Sequence, residues 1–276
     1  MKFKYVFLIF NILIVFLLLV IIVMPVFFIG PGFMQKFWIT GWPMLLVLCV
    51  IMLVINVFFL SNRRLFKLLE REDWPALVDY LEHRVVDKNR YSSRLVKLLA
   101  NSYLIMSDSA GVLRLEKKLS AEKPVFIEKN ALIFGAARIL GGDSIGAADF
   151  FHTRIEKNSG KNSLWIRWYY GFSLLLSKAF VKAETEFKAL AEVCDDAVIT
   201  GLSAWFLSDA LLKHSKNKKE CESIAAQGRM KIVKMFKKSE RWEKEAAKIE
   251  TEIHGAIIKK YIDEAEKWLF MGSDNE

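Results

Sequence analysis

The sequence predicts an all-α chain in two parts, a pair of apolar helices followed by an array of amphipathic helices. Three observations carry that expectation. Residues 1–60 hold Lys2, Lys4 and Lys36 as their only charged side chains and no acid at all. From Ser61 onward apolar residues recur at steps of three and four, punctuated by Gly, Asn, Asp and Ser, instead of alternating as in strands. The composition, 53% hydrophobic and 26% charged with five prolines in 276 residues, excludes a disordered or collagen-like chain. The formal net charge is +9, and without those three lysines residues 61–276 keep 37 basic against 31 acidic groups, a net of +6.

The first element is the uncharged run Tyr5–Ile29, 25 residues long, and the second is Phe37–Leu60, 24 residues long. At 1.5 Å per residue each exceeds the ~20 residues that cross a ~30 Å hydrocarbon core. A cleaved signal peptide fits the first run less well. Its apolar region would span only ~7–15 residues and end in small ones, whereas Met24-Pro25-Val26-Phe27-Phe28 continues apolar. The short linker Gly30–Lys36 then makes a tight hairpin. Lys2, Lys4, Arg63, Arg64 and Lys67 flank its open end and only Lys36 lies at its closed end, so the positive-inside rule places both termini and the soluble part in the cytoplasm of an inner membrane. Trp38 and Trp42 fall at the outer interface and Tyr5 at the inner one. Asn11 and Asn56 come to similar depths, close enough for an interhelical amide bond, although each can instead bond its own helix.

Asp73-Trp74-Pro75 reads as an N-cap with proline in the first turn, opening a helix to about Val86. Residues 61–91 thus form juxtamembrane helices. Breaks follow at Gly141-Gly142-Asp143, Asn158-Ser159-Gly160 and Asp195-Asp196, leaving segments of ~15 residues. These segments are self-similar. Laying Gly135 on Gly171, a shift of 36, also lays Ala147 on Ala183 and Phe151 on Phe187, with Arg138 replacing the apolar group at Leu174. An upstream unit fits with one residue deleted, through Leu99, Ala100, Tyr103, Gly111 and Leu115. Ala197–Lys213 and Lys218–Phe236 form a further, poorly matching hairpin.

This pattern resembles the tetratricopeptide repeat, a helix pair of ~34 residues with small residues where the helices touch and a large one on the second helix. The resemblance covers residues ~90–195 and is degenerate, without the family's closing proline. It implies an α-solenoid over residues 92–238. Ser239–Met271 carries Trp242, Ala246, Ile249, Ile253, Ile257, Tyr261, Ala265 and Trp268 at steps of three or four and reads as one long capping helix laid along the array, with a tail after it. It also implies a groove lined by the first helices, which would hold a peptide or partner helix on Lys97 and Asn101, then Leu132, Ala136 and Ile139, then Trp165, Trp168, Phe172 and Leu175. Lys97 and Asn101 match two residues of the carboxylate clamp found in some relatives, while Ile133, Trp165 and Tyr169 stand at its other positions. The cluster Trp165-Ile166-Arg167-Trp168-Tyr169-Tyr170 fits inter-repeat core as well as a binding surface.

No motif names a reaction. Gly142-Asp143-Ser144-Ile145-Gly146 matches the nucleophile-elbow string, but that motif needs a strand before it and the preceding Ala131–Leu140 is helical in pattern. The histidines His83, His152, His214 and His254 are scattered, and Cys49, Cys194 and Cys221 form no C-x-x-C pair. No cofactor or metal is expected. Lys213–Lys248 holds 12 basic against five acidic residues, and Arg229, Lys231, Lys234, Lys237 and Lys238 with the stripe Ile232, Val233 and Phe236 suit an anionic lipid surface or a solvated face. No nucleic-acid motif accompanies them. The sequence therefore points to a non-enzymatic, membrane-anchored adaptor for protein or peptide partners. The contrasting reading is a small membrane enzyme or regulator with a site around Arg63, Arg64 and His83.

Overall fold

The computed structural model describes residues 3–29, 31–156, 161–250 and 252–271, and every regular element among them is helical. The helices are α1 (Phe3–Ile29), α2 (Pro31–Ser61), α3 (Arg63–Arg71), α4 (Trp74–Glu82), α5 (Ser93–Ile105), α6 (Ser109–Glu122), α7 (Val125–Lys129), α8 (Ala131–Leu140), α9 (Ser144–Ile155), α10 (Lys161–Leu176), α11 (Phe180–Val193), α12 (Ala197–Phe206), α13 (Lys218–Phe236), α14 (Ser239–Glu250) and α15 (Ile253–Phe270). Single π-helical turns at His83–Asp87 and Leu207–Leu211 extend α4 and α12. The chain forms two compact units, Met1–Tyr80 and Leu81–Glu276. Lys2, Asn158-Ser159-Gly160 and the tail Gly272–Glu276 lie outside the described residues, as do the side chains of Lys4, Lys36 and Trp38.

In the first unit, α1 and α2 pack together, and within them Tyr5–Val23 and Gly41–Ser61 are long and apolar enough to cross a membrane. The expected linker Gly30–Lys36 is corrected: helix resumes at Pro31, where proline's missing N–H costs nothing in a first turn. Asn56 Nδ2 donates to Asn11 Oδ1 at 2.8 Å and to Met52 O at 2.9 Å, while Asn11 Nδ2 donates to Phe7 O. Each amide thus serves its own helix and its partner at once. One turn away Phe7 stacks on Phe59, with ring centroids 3.9 Å apart.

In the second unit successive helices pack on each other from α5 to α13, and the first helices α5, α8, α10 and α12 also touch in sequence. Two of the three glycines in the self-similar pattern, Gly135 and Gly111, sit where close approach demands them. A Cβ on Gly135 would lie 2.0 Å from Phe151 Cζ on α9, and one on Gly111 would lie 2.5 Å from the Tyr103 ring.

The connections between paired helices share one geometry. At Glu72, Ser107, Gly142 and Lys178 the backbone turns left-handed, with φ of 53°, 59°, 81° and 63°. In each, the N–H of that residue returns to the carbonyl three back, and the next N–H returns to the carbonyl five back (Asp73 to Leu68, Asp108 to Tyr103, Asp143 to Arg138, Ala179 to Leu174). This double bond satisfies the last carbonyls of a helix. Asp73, Asp108 and Asp143 then cap the following helix through Ala76, Gly111 and Gly146 N–H. The four turns are spaced 35, 35 and 36 residues apart. The helices at 61–91, expected to be merely juxtamembrane, therefore open the same local pattern.

Two expectations about the end of the chain are corrected. Ser239–Met271 is two helices instead of one long one, with a break in which Glu252 is extended and Gly255 approaches the Ile249 carbonyl so closely that a Cβ would lie 2.0 Å from it. The break moves the buried face by one position. Trp242 and Ala246 are buried on α14, but α15 buries His254, Ile258, Ile262, Ala265 and Leu269 instead of Ile257, Tyr261 and Trp268.

Candidate functional site

The face built by the first helices is where sequence places a binding groove. Trp165, Trp168 and Phe172 project from it because their 3–4 spacing puts them on one side of α10. Their rings are buried, Trp168 completely. Trp168 packs on Phe187 of α11 and Phe206 of α12, and α15 covers Trp165 and Phe172. His254 lies 5.5 Å from the Trp165 ring and 5.8 Å from Tyr169, and Tyr261 lies 5.3 Å from Phe172 and 6.0 Å from Trp205. Tyr169 Oη donates to His254 O at 2.7 Å. The assignment of Trp165, Trp168 and Phe172 to an open groove is therefore corrected: Trp165 and Phe172 pack under the chain's own last helix, and Trp168 lies in the core among α10, α11 and α12.

Lys97 and Asn101 on α5 and Leu132 and Ile139 on α8 remain partly exposed. Lys97 Nζ meets the Glu252 carboxylate at 3.1 Å, so the lysine that resembles a clamp for a carboxylate holds one from its own chain. Asn101 Oδ1 is buried and has no hydrogen-bond partner among the described residues. A cavity of about 270 Å³ stays open beside this pair, lined among others by Ser93, Lys97, Asn130, Leu132, Glu252 and His254. Burial lowers the His254 pKa to about 4 from the ordinary 6.5, with Lys97 adding to the shift and Glu252 opposing it. The imidazole is thus neutral at pH 7, and it packs against rings.

The other sequence candidates have structural partners. Ser144 follows the cap Asp143 at the start of α9, and α8 precedes it where a nucleophile elbow needs a strand. His83 Nδ1 pairs with Asp87 at 3.1 Å. The Arg64 guanidinium lies over the Tyr80 ring. No group of three metal-ligating side chains occurs among the described residues. The basic surface is reduced. Arg229 donates to Leu269 O and Met271 O at the end of α15, and the exposed Lys231 donates its Nζ to Cys194 O at 2.9 Å, so both heads are tied to backbone carbonyls of their own chain. Ile232 and Phe236 turn inward, while Lys234, Lys237 and Lys238 remain exposed.

Sequence reasoning missed an ion pair whose carboxylate, Glu116, is buried. Arg138 donates to both carboxylate oxygens of Glu116 at 2.5 and 3.0 Å and lies over the Phe150 ring, which explains a charge where the repeat pattern has an apolar residue. Its signal was in view as the mismatch at Arg138, but its partner lies 22 residues away on α6.

Residues 111–271, from the first turn of α6 to the end of α15, match the family described as "Uncharacterised Treponema protein". The chain belongs to this family. Its matched stretch contains the aromatic core of α10, the Arg138–Glu116 pair and the covering helix α15. A relative from Treponema pallidum (strain Nichols), described as an uncharacterized protein, is 33% identical over 179 residues, covering 62% of this chain and 57% of that protein. The chain thus spans little more than half the length of that relative. No solved structure matches the chain.

Proposed function

We propose that this member of the family is a membrane-anchored scaffold, in which α1 and α2 span an inner membrane and a tetratricopeptide-like solenoid gathers protein partners at its cytoplasmic face. The observation that carries this reading is the left-handed turn repeated at 35- and 36-residue spacing. Helix pairs stacked at such a period build extended surfaces, and recognition is the common use of such surfaces. Two bilayer-length helices with an interhelical amide bond supply the anchor, and the basic residues around them orient both termini inward. Because α15 fills the face of the first helices, the partner surface lies on the outer sides of the array. Two measurements on native membranes test the proposal. The protein should resist carbonate extraction and, in mild detergent, migrate with other chains in stoichiometric amount, and a C-terminal fluorescent fusion should mature. A carbonate-soluble protein refutes the anchor, a free 31.9 kDa chain refutes the scaffold, and a dark fusion on an intact chain refutes the orientation.

A further inference from the structure

The repeated turns expose aliphatic side chains that the turn itself does not require. Ile105, Leu140 and Leu176, each the last residue of a first helix, are 44%, 50% and 40% exposed. Ile145 and Val181, in the first turns of α9 and α11, are 69% and 63% exposed. The spacing is the repeat itself, since Leu140 and Ile145 recur 36 residues later as Leu176 and Val181. At Glu72 the same backbone geometry forms with Glu70 and Arg71 ahead of it, so nothing in the turn selects an aliphatic residue.

These side chains fall on one edge of the array. The first helices lie side by side, and a Cβ on Gly141 would be 3.2 Å from Ser109 Oγ, which puts the second turn against the first. The ring of Phe180 stacks on His214 at 3.8 Å, which puts the α12–α13 connection against the third turn. The edge is also basic. Its four connections, residues 105–111, 140–146, 176–182 and 212–218, hold Lys178, Lys182, Lys213, Lys216 and Lys218 against Asp108 and Asp143, a net of +3. All five lysines are exposed, whereas both aspartates are engaged in capping backbone N–H groups.

We infer that this edge is a docking surface for an anionic lipid bilayer, with the aliphatic tips entering the headgroup layer and the lysines meeting lipid phosphates. Leu176 and Val181 stand beside Lys178 and Lys182, a pairing of aliphatic tip and lysine that suits that boundary, and basic groups near it are attracted to anionic lipid in a salt-dependent way. The inference rests on the membrane anchor of the proposed function, which keeps the chain at a bilayer.

The test uses the full chain reconstituted into vesicles of phosphatidylglycerol and phosphatidylcholine, and into phosphatidylcholine alone. In a Cys49→Ser background, where Cys194 and Cys221 are buried, Leu176→Cys and Val181→Cys carry a fluorophore quenched by headgroup-region doxyl lipid. Val193→Cys, exposed at the far end of α11, is the comparison, and the label on native Cys49, quenched by chain-region doxyl lipid, reports the anchor. The expected result is quenching at residues 176 and 181 but not 193 in anionic vesicles, lost in high salt and in phosphatidylcholine alone. Quenching at Cys49 with none at 176 or 181 overturns the edge and leaves the anchor standing. No quenching at Cys49 overturns the anchor and the edge together. Labels at 176 and 181 that are shielded from water-soluble quencher yet untouched by doxyl lipid assign the edge to a protein contact and overturn the lipid assignment.

Discussion

Gly135 and Gly171 occupy the same place in successive units, yet replacing each by alanine should move stability in opposite directions. At Gly171 the new Cβ would meet Glu186 Cβ and the Phe187 ring at 3.4 Å, an ordinary contact. Removing a helix-interior glycine there should therefore gain about 0.5–1 kcal/mol. At Gly135 the Cβ would stand 2.0 Å from Phe151 Cζ, so the ring must retreat by roughly 1.4 Å to regain a 3.4 Å contact. Phe151 is fully buried and can only retreat by displacing other core atoms. Overpacking of that kind costs about 1–3 kcal/mol. For a unit of ~200 residues these values correspond to a melting temperature raised by about 1–4 °C in Gly171→Ala and lowered by about 2–12 °C in Gly135→Ala. The assay is a thermal melt of the full chain in mild detergent, followed by tryptophan fluorescence. Adding Phe151→Leu to Gly135→Ala should restore part of the loss, because the shorter side chain vacates the contested space. Equal shifts for the two alanines would refute the close packing of Gly135 on Phe151.

Three further outcomes follow from the same geometry. Asn56→Leu should weaken the α1–α2 pair by about 0.6–2 kcal/mol in an SDS titration, with no additional loss when Asn11→Leu is combined with it; an unchanged midpoint would mean that the own-turn carbonyls alone satisfy the amides. Arg138→Met should cost about 3 kcal/mol in the thermal melt because it strands the Glu116 carboxylate, and Arg138→Met with Glu116→Leu should recover most of it; equal losses in both variants would argue against the pair. For pH, His254 is held at about 4 in the fold, so the unfolded chain binds the extra proton and stability on its account rises between about pH 4 and 6.5. Glu266 is raised to about 7 by burial and by Glu243, so its contribution falls between about pH 4.5 and 7. The two slopes oppose, and Glu266→Gln should expose a steeper rise with pH that Glu266→Gln with His254→Gln lacks; identical denaturation profiles for the two variants would remove His254 as the cause.

What was legible in the sequence was mostly local. The apolar lengths, the cap Asp73, the break at Asp195-Asp196, where the Asp196 carboxylate accepts from Val198 and Ile199 N–H, and the pairing of Gly171 with Phe187 follow from spacing along one helix or across one hairpin, where neighbours in sequence are neighbours in space. The Asn11–Asn56 bond was legible for a related reason, since a hairpin of two uninterrupted helices fixes relative depth. The tryptophans were ambiguous because an aromatic stripe on α10 looks the same whether solvent or another helix covers it. What covers it begins more than 80 residues later, and its face is set by the break between α14 and α15, where Glu252 is extended. The turn at Glu72 escaped notice because the repeat there keeps only backbone geometry and the capping aspartate, while its small residues have changed. Arg229 and Lys231 read as surface charge because nothing local shows that the carbonyls of Leu269, Met271 and Cys194 are their acceptors.

The covering of the tryptophan face by α15 also sets an order of events during synthesis. Trp168 precedes His254 by 86 residues, so at a translation rate of roughly 5–20 residues per second the aromatic stripe of α10 is made some 4–17 seconds before the helix that closes over it. During that interval the nascent chain presents a wide aromatic face, which makes it a client for chaperones at the ribosome. A chain interrupted before residue 253 never loses that face. Its fate is then set by quality control, because the 18 residues of α15 are the ones that turn a sticky array into a finished surface.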